Sequence, residues 1–582
     1  MEEIKISGRW KIEEKEYKGE LHIVKSKKVI RLVVQSNEVR GFWSEVDFPE
    51  NIDLICGISF LNEVNISLLN CRTLKQSTNV SAKIVTFLID CKYCIYGLKF
   101  KRYEDVMFNK LQIRLTNSME WSGLSGFSSP KGSKKTIDAI EYKFKKKFSY
   151  RINENIKLEI VPCFERETFG LNSERIILKQ YVTINFICNK LEKFENLIQE
   201  LKKIIALIEF STTLRVDIVK IKGFKNSKFN KYPNINKKDY IDYRIYYAKE
   251  IDVKNENDNI YKIDRNFNCN LNDICDVNGL KNWFEKYEDL KPIIDSYRKN
   301  IEKFAYYDEI PEEEIFMNII KSLEFYHTRF VAESLKEFKE KLSYDLDGAL
   351  PQNIELIESF VYDPIQEKTN YVLLKNRLCH LFLEKMPIYY FDNFNYVLNF
   401  INSVTDTRHY YTHYEKSKQY KAMKGVELSI SRIILQTLLE FYIFKELGFT
   451  EEFIKEHEAK SFSGLRKYEI PKREEKNIEI YKKVHLITTI ENILKIIVNE
   501  YKIGEYIDYQ IVENSENDDL YVKITTKARK KYKIRIFAES KTDEECREII
   551  KNDKNKLIYT KKNFYYLYYF YGKYRVLIYK SK

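Results

Sequence analysis

Residues 315–330 read IFMNIIKSLEFYHTRF and form the clearest helical pattern in this 582-residue chain. The apolar residues recur at intervals of three and four positions, as on the buried face of an amphipathic helix. They are Ile315, Ile319, Ile320, Leu323, Phe325 and Tyr326. Related patterns predict helices at 280–304, 312–341, 350–368, 371–383, 391–413 and 425–447, and Gly448 is typical of a helix end. Residues 277–460 are therefore predicted to fold as a helical bundle.

Upstream of the bundle, the sequence has the alternating pattern of half-buried antiparallel strands. The clearest examples are residues 21–24, 29–34, 64–69, 84–89 and 111–115. We predict a β-rich domain over residues 1–125, and a mixed continuation over residues 126–276 that adds further strands and a helix at 191–210. The glycines between positions 123 and 132 lack the spacing of a phosphate-binding loop, so they do not predict a nucleotide site.

The composition changes again after residue 460, where residues 461–582 predict a small α+β domain. It should contain a helix near 484–501 and strands at 521–525, 532–537 and 574–579. The sequence thus predicts an α+β multidomain protein with a β-rich N-terminal region, an all-α bundle and a small α+β C-terminal domain. The 44% of hydrophobic residues excludes a disordered chain.

Positive charge is concentrated near the C-terminal end of the chain. The whole chain carries +13, while residues 521–582 hold 18 Lys and Arg against 6 Asp and Glu. Cations attract the nucleic-acid backbone, and the aromatic run at 564–571 offers rings on which bases stack. The RNA-binding residues predicted here are Arg529, Lys530, Lys531, Lys533, Arg535, Lys561 and Lys562. The alternative is a solvated basic face over a Tyr-rich core.

The cysteines and the N-terminus bear on metal binding and location. Ten cysteines are spread singly, and the C-x-x-C of Cys91 and Cys94 has no second pair at zinc-site spacing. We therefore predict no metal and no cofactor. The N-terminus MEEIK lacks the apolar core of a signal peptide, and no run reaches the roughly 18 apolar residues of a membrane span. We expect a cytoplasmic protein that does not enter a membrane.

Residues 405–414, TDTRHYYTHY, combine the residue types that phosphodiester cleavage requires. His409 and His413 are four positions apart and share a helical face, with Arg408 beside them. Arginine grips phosphate in a fork, and histidine exchanges protons near neutral pH. Because RNA carries its own 2′-hydroxyl nucleophile, a base, an acid and a cation are sufficient for cleavage. The alternative is an exposed helix end whose cations complement the helix dipole.

The same run resembles the R-x(4–6)-H signature of HEPN ribonucleases, and its context is similar to the D-x-R-N-x-x-x-H helix of the ApeA-like HEPN family. Residues 319–330 resemble the first core helix of that family, and residues 435–449 resemble its last. Residues 10–127, which include Leu68-Leu69-Asn70-Cys71, are similar to the ApeA amino-terminal domain. Residues after about 465 resemble no family that we can name.

The resemblance implies a metal-independent endoribonuclease of anti-phage abortive infection, with a composite site where two HEPN domains meet. It implies that Arg408 binds the scissile phosphate, that His413 acts as acid or base and that Asp406 orients or polarises that pair. His409 departs from the usual Asn of the family, and would donate a hydrogen bond to the phosphate, carry a second proton or be neutral. The expected partners are an RNA substrate, with tRNA among the candidates, a phage-derived trigger, and further copies in a homodimer or higher homo-oligomer.

Two other functions remain open from the sequence. Asp518 or Asp519, followed by Glu539-Ser540-Lys541, has the residue order of metal-dependent PD-(D/E)xK nucleases. A bundle of this type could also be non-catalytic and serve dimerisation or sensing. Four of the remaining histidines have no acid or cysteine at a recognisable spacing, and we interpret them as surface or satisfied packing residues. They are His22, His380, His457 and His485. We interpret His327 as a polar helix position that faces other helices.

Overall fold

The computed structural model describes most of the chain up to residue 464 and the backbone of four later segments. The described residues are 3–36, 48–79, 84–128, 141–168, 176–226, 240–248, 268–306, 311–346, 351–362, 368–385, 394–415, 419, 421–464, 506–513, 520–526, 531–536 and 576–580. The predicted fold class is confirmed, because a β-rich N-terminal region precedes a helical region.

The first six strands close into an antiparallel barrel. They are β1 (Glu3–Ile12), β2 (Lys15–Val24), β3 (Val29–Ser36), β4 (Asn51–Ser59), β5 (Asn65–Asn79) and β6 (Ile84–Tyr96). Pairing runs β1–β2–β3–β6–β5–β4 and returns to β1. Alternate residues face the interior, as in β3, where Ile30, Leu32 and Val34 are buried. Trp10 lies across Gly57, where a Cβ atom would come within 2.2 Å of the indole ring.

Strand β6 leaves the barrel and continues into an open antiparallel sheet of order β6-β14-β13-β7-β12-β11-β10. The added strands are β7 (Met107–Leu115), β10 (Phe148–Arg151), β11 (Ile156–Thr168), β12 (Ile176–Lys193), β13 (Ile218–Asn226) and β14 (Tyr240–Tyr247). A separate two-stranded pairing joins β8 (Phe127–Ser128) and β9 (Glu141–Tyr142). Cys91 and Cys94 both lie on β6, where they are buried.

Helices follow the sheet and supply most of the remaining structure up to residue 464. They are α1 (Ser118–Ser122), α2 (Phe194–Thr212), α3 (Leu271–Asp276), α4 (Gly279–Tyr306), α5 (Glu312–Tyr326), α6 (Leu335–Leu346), α7 (Pro351–Val361), α8 (Leu374–Glu384), α9 (Phe394–His413), α10 (Gly425–Leu447) and α11 (Glu451–Gly464). A short 3₁₀ helix covers Tyr103–Asp105. No helix in the part of the chain covered by the structure is long and apolar enough to cross a membrane.

Helix α5 is central to the bundle and packs against α4 and α10. Its residues Ile315, Ile319, Ile320 and Leu323 are fully buried, as the sequence pattern indicates. Its first turn carries three glutamates, which favour a helix start through the dipole. Burying each of the four apolar side chains stabilises the fold by roughly 1.5–3 kcal/mol.

The predicted continuous helix at 312–341 is wrong in its middle. Helix α5 ends at Tyr326, and one π-helical turn, His327–Val331, follows it. The Ala332 amide donates a hydrogen bond to the His327 carbonyl at 2.8 Å. Ala332 is then extended, and α6 starts at Leu335. The break follows from tertiary contacts, because the Ala332 carbonyl accepts a hydrogen bond from the buried Arg377 of α8.

Helix α2 joins the open sheet to the bundle. The indole Nε1 of Trp283 in α4 donates to the Lys203 carbonyl of α2 at 3.0 Å, and Arg298 of α4 forms an ion pair with Glu209 of α2. Burial raises the pKa of Glu209, although Arg298 favours its ionised form. The sheet, α2 and the bundle therefore share one continuous hydrophobic core.

The C-terminal segments form a four-stranded antiparallel sheet in the order β15-β16-β17-β18. Its strands are β15 (Tyr506–Glu513), β16 (Leu520–Thr526), β17 (Lys531–Ile536) and β18 (Val576–Lys580). The three strands predicted for this region correspond to β16, β17 and β18, whereas β15 was not predicted. The helix predicted near 484–501 lies outside the described residues.

Candidate active site

The Arg-His motif, which runs from Arg408 to His413, lies in the last two turns of α9. Val397, Ile401 and Val404 are buried, and Arg408 continues their side of the helix, four residues after Val404 and seven after Ile401. Thr407 anchors the motif, because its buried hydroxyl donates to the Ser403 carbonyl at 2.7 Å and accepts from the Met423 amide at 2.9 Å. This anchor ties the end of α9 to the segment that leads into α10.

Arg408 is the best-defined member of the site. Its side chain is 33% exposed, and Nη2 lies 3.6 Å from Oε2 of Glu324 on α5. Its Nε atom is buried and has no hydrogen-bond partner among the described residues. Arginine has five N–H donors in a fixed fork. Arg408 therefore has donors left for an anionic ligand after its contact with Glu324.

The two histidines of the motif meet on one side of the helix end, as their spacing predicts. The ring centroids of His409 and His413 are 4.8 Å apart. Nε2 of His409 lies 3.1 Å from Oε1 of Glu415, just beyond the helix, whereas His413 is exposed. Tyr414 ends the helix in the left-handed region, with φ of 52°. Both imidazoles are therefore accessible to solvent and to a ligand.

Asp406 is half-buried on the same helix, two residues before Arg408. Its role in orienting the Arg-His pair stays a prediction. Glu324 is a residue of the site that the sequence did not reveal. It accepts a hydrogen bond from the Tyr371 hydroxyl at 3.0 Å on Oε1 and contacts Arg408 through Oε2. No spacing signal connects positions 324, 371 and 408, since only the packing of α5, α8 and α9 brings them together.

Aromatic residues surround the exposed end of α9. The ring centroid of Tyr410 is 5.2 Å from that of Tyr411 and 5.8 Å from that of Tyr414, and the Lys424 ammonium lies 5.8 Å from the Tyr410 ring. Tyr414 is 69% exposed. Burial raises the pKa of Tyr411, and its hydroxyl donates to the Met423 carbonyl at 3.4 Å. The site thus has aromatic rings and a cation beside the histidines.

The structure places only some residues of the other predicted sites. Lys531, Lys533 and Arg535 occupy alternate positions of β17. The other predicted RNA-binding residues, Arg529, Lys530, Lys561 and Lys562, lie outside the described residues. So do Asp518, Asp519, Glu539 and Lys541 of the metal-nuclease alternative. Within the described ranges, no three His, Cys, Asp or Glu residues are arranged to hold a metal ion.

The barrel, the open sheet and the helical bundle with an Arg-His helix define a HEPN-type protein with a β-rich N-terminal region. Comparison with protein families agrees with this class. Residues 5–283 match the family described as ApeA N-terminal domain 1, and residues 317–453 match the family described as Apea-like HEPN. The chain belongs to the ApeA-like HEPN proteins. No curated protein and no solved structure matches it.

The two matches cover the β-rich region and the Arg-His helix. The first runs from the barrel through the open sheet into α4, and the second runs from residue 317 within α5 through α10. At the level of the family, membership supports a HEPN-type nuclease of abortive-infection defence.

Proposed function

We propose that the protein is an endoribonuclease that cleaves RNA without a metal ion and acts in anti-phage abortive infection. The RNA 2′-oxygen would lose its proton and attack the adjacent phosphorus. The bond to the 5′-oxygen would then break as that oxygen gains a proton. The products are a 2′,3′-cyclic phosphate and a 5′-hydroxyl. The observation that carries the proposal is the end of α9, which presents the partly exposed side chain of Arg408 and two imidazoles whose ring centroids lie 4.8 Å apart.

Each residue has a role that suits its position. Arg408 binds the scissile phosphate and stabilises the charge of the phosphorane, because its fork matches phosphate oxygens. His413 is the exposed acid or base. His409 supplies a second proton or a hydrogen bond to the phosphate, and Asp406 orients the pair. General acid–base catalysis of this kind contributes about 10²- to 10⁴-fold in rate.

The aromatic rings around α9 suit an RNA substrate. Enzymes that act on single-stranded RNA stack unpaired bases on aromatic side chains. Tyr414 projects from the helix end and Tyr410 lies under the Lys424 cation, which places a ring and a charge beside the proposed cleavage site. We infer that unpaired loop nucleotides bind here, and tRNA is the first substrate to test.

We further propose that two copies form the complete site. The end of α9 exposes His413 and Tyr414, and a second copy placed against it would add another arginine and another histidine pair. A phage-derived trigger would act through the barrel and through the open sheet, which continues the barrel strand β6 and shares a core with the bundle.

The proposal is tested by incubating RNA with the purified protein and mapping the new ends. We expect 2′,3′-cyclic phosphates, cleavage that survives EDTA, and a loss of about 10²- to 10⁴-fold in kcat for His413→Ala. Arg408→Ala should be inactive at the same enzyme concentration. Arg329→Ala is the matched control, because Arg329 is an exposed arginine of the same bundle that pairs with Asp289.

Three results would contradict the proposal. Full cleavage by Arg408→Ala or His413→Ala would exclude the site. Loss of cleavage on chelation would favour a metal-dependent nuclease, and Asp518, Asp519, Glu539 and Lys541 would be the next residues to substitute. An absence of cleavage by wild-type protein that has been given phage extract would favour a non-catalytic bundle.

A further inference from the structure

A continuous series of polar side chains runs from Arg408 into the interior of the bundle. Its members come from α5, α6, α8, α9, the π-helical turn and the segment before α8. In order from the candidate active site they are Arg408, Glu324, Tyr371, Arg377, His327, His380 and Asp345. We call this series the polar relay.

The outer half of the polar relay links Arg408 to a buried cation. Glu324 contacts Arg408 with one oxygen, at 3.6 Å, and accepts the Tyr371 hydroxyl with the other, at 3.0 Å. Burial and the Glu324 carboxylate raise the pKa of Tyr371, so its hydroxyl keeps its proton and donates. The Arg377 guanidinium lies 5.5 Å from the centre of the Tyr371 ring. Tyr371 is thus held between a cation and a carboxylate.

The inner half of the polar relay is buried from Arg377 to His380 and ends at the exposed Asp345. Arg377 is 3% exposed and donates through Nε to the Val372 carbonyl at 3.1 Å and through Nη1 to His327 Nδ1 at 3.0 Å. His327 Nε2 lies 3.1 Å from His380 Nδ1, and His380 Nε2 lies 2.7 Å from Asp345 Oδ2. Both histidines are buried.

The chemistry of these groups sets the direction of every hydrogen bond. Arginine only donates, so His327 Nδ1 must accept. Burial lowers the pKa of His327 to about 2, and the neutral ring then carries its proton on Nε2 and donates to His380. His380, whose pKa burial also lowers, therefore carries its proton on Nε2 and donates to Asp345. All donors in the inner half point away from Arg377, and each ring has one defined tautomer.

Stability alone does not call for such a series in a bundle core. A buried polar group costs free energy unless it is fully hydrogen-bonded, and apolar residues of similar size are often as stable or more so. A fully satisfied network does, however, hold its members in one arrangement. The polar relay ends at the one guanidinium that the proposed reaction uses.

We propose that Glu324 is a positioning residue for Arg408, and that the polar relay behind it holds Tyr371 and Glu324 in the orientation that cleavage requires. This inference rests on the proposed ribonuclease function. The carboxylate lies against one edge of the guanidinium and leaves the exposed third of the Arg408 side chain for the phosphate. The opposite arrangement, in which Glu324 restrains Arg408 and suppresses cleavage, predicts the opposite sign for the same substitution.

Glu324→Gln is the first test, because it removes the charge and keeps the shape and the acceptor for Tyr371. We expect kcat to fall by about 10²-fold, the effect of a displaced catalytic group. The dissociation constant for an uncleavable 2′-deoxy RNA analogue should be unchanged or lower, because a negative charge beside the phosphate is lost. Glu314→Gln is the matched control, since Glu314 is an exposed carboxylate of the same helix. It should retain wild-type kcat.

Tyr371→Phe tests the relay without a large risk to folding, because Tyr371 is 50% exposed. Loss of a hydrogen bond to a charged group should lower kcat at least about tenfold, while the control Tyr362→Phe, at another exposed tyrosine, should not. Solid-state ¹⁵N spectra of histidine-labelled protein should show His327 and His380 as neutral Nε2-H tautomers, and the chain has only seven histidines.

The outcomes separate this inference from the proposed function. If Arg408→Ala cleaves RNA as the wild type does, the ribonuclease site itself is wrong. If Arg408→Ala is inactive while Glu324→Gln and Tyr371→Phe keep wild-type kcat, the site stands and the positioning role is overturned. A rise in kcat for Glu324→Gln would overturn the positioning role and show that Glu324 restrains Arg408. A cationic or Nδ1-H form of His327 or His380 would overturn the hydrogen-bond directions assigned to the polar relay.

Discussion

Neutral His327 should make the stability of the bundle depend on pH in a defined way. The histidine is fully buried, and its pKa falls from 6.5 to about 2 on folding. As pH decreases through 6.5, the unfolded chain takes up a proton that the folded chain does not bind. The contribution of His327 is therefore fully present above pH 6.5 and is lost progressively between pH 6.5 and pH 2.

The expected loss follows from linkage. With these two pKa values, lowering the pH from 7 to 5 removes about 2 kcal/mol of the free energy of unfolding. Asp and Glu residues with ordinary pKa values change their ionisation little in that interval. His380 contributes in the same direction, because its pKa is also lowered.

Urea unfolding at pH 7 and pH 5 measures this loss. His327→Gln keeps an acceptor for Arg377 and a donor for His380 but does not titrate, so its loss should be smaller than that of the wild type by about 2 kcal/mol. His22→Gln, at a partly exposed histidine of the barrel, is the control for replacing a histidine outside the bundle. Equal losses for wild type and His327→Gln would refute the reasoning that His327 is buried in its neutral form.

Four further outcomes test the site and the fold. Tyr414→Ala should weaken binding of an uncleavable RNA by about 1–3 kcal/mol, while Tyr414→Phe should not, and equal affinities would exclude stacking. Ile320→Ala should lower the free energy of unfolding by about 2–5 kcal/mol, and a loss below about 1 kcal/mol would contradict its full burial. Specific activity should fall on dilution as a dimer dissociates, whereas a fully active monomer in sedimentation would contradict the composite site. Substituting Lys561 and Lys562 by Ala should reduce the slope of log Kd against log salt by about 1.4, and an unchanged slope would exclude phosphate contacts there.

Elements with a strong period were predicted well. Helix α10 has the bounds that were expected, 425–447, and the predicted strands at 29–34 and 84–89 lie within β3 and β6. The two strands bury alternate residues, and a buried face imposes its period on the sequence. Helix α10 is instead buried on most sides, and its long apolar run ends at Gly448. The prediction of one helix over 312–341 was wrong beyond the apolar stripe. There the π-helical turn at His327 and the extended Ala332 allow contacts with Arg377 that a continuous helix would not make.

The candidate site likewise contains some residues that the sequence predicted and others that only the structure revealed. The Arg-His motif lies on one helix, so its spacing alone indicates that His409 and His413 share a face. Glu324 and Tyr371 belong to other segments, and they reach Arg408 only because α5, α8 and α9 pack together. His380 was interpreted as a surface or satisfied packing residue and His327 as a polar helix position facing other helices, and both are buried in the bundle. The sequence did not predict that they bond to each other.

The sequence by itself determined the order of strands and helices, the family and the motif, because each depends on residues close together along the chain. Only the tertiary structure decided that the strands close into a barrel, that the sheet and bundle share a core, and that Arg408 is connected to Asp345 through five other side chains. These features depend on residues far apart in sequence, for which no local periodicity specifies the partner. The physical reason is that packing and buried hydrogen bonds select partners by proximity in space.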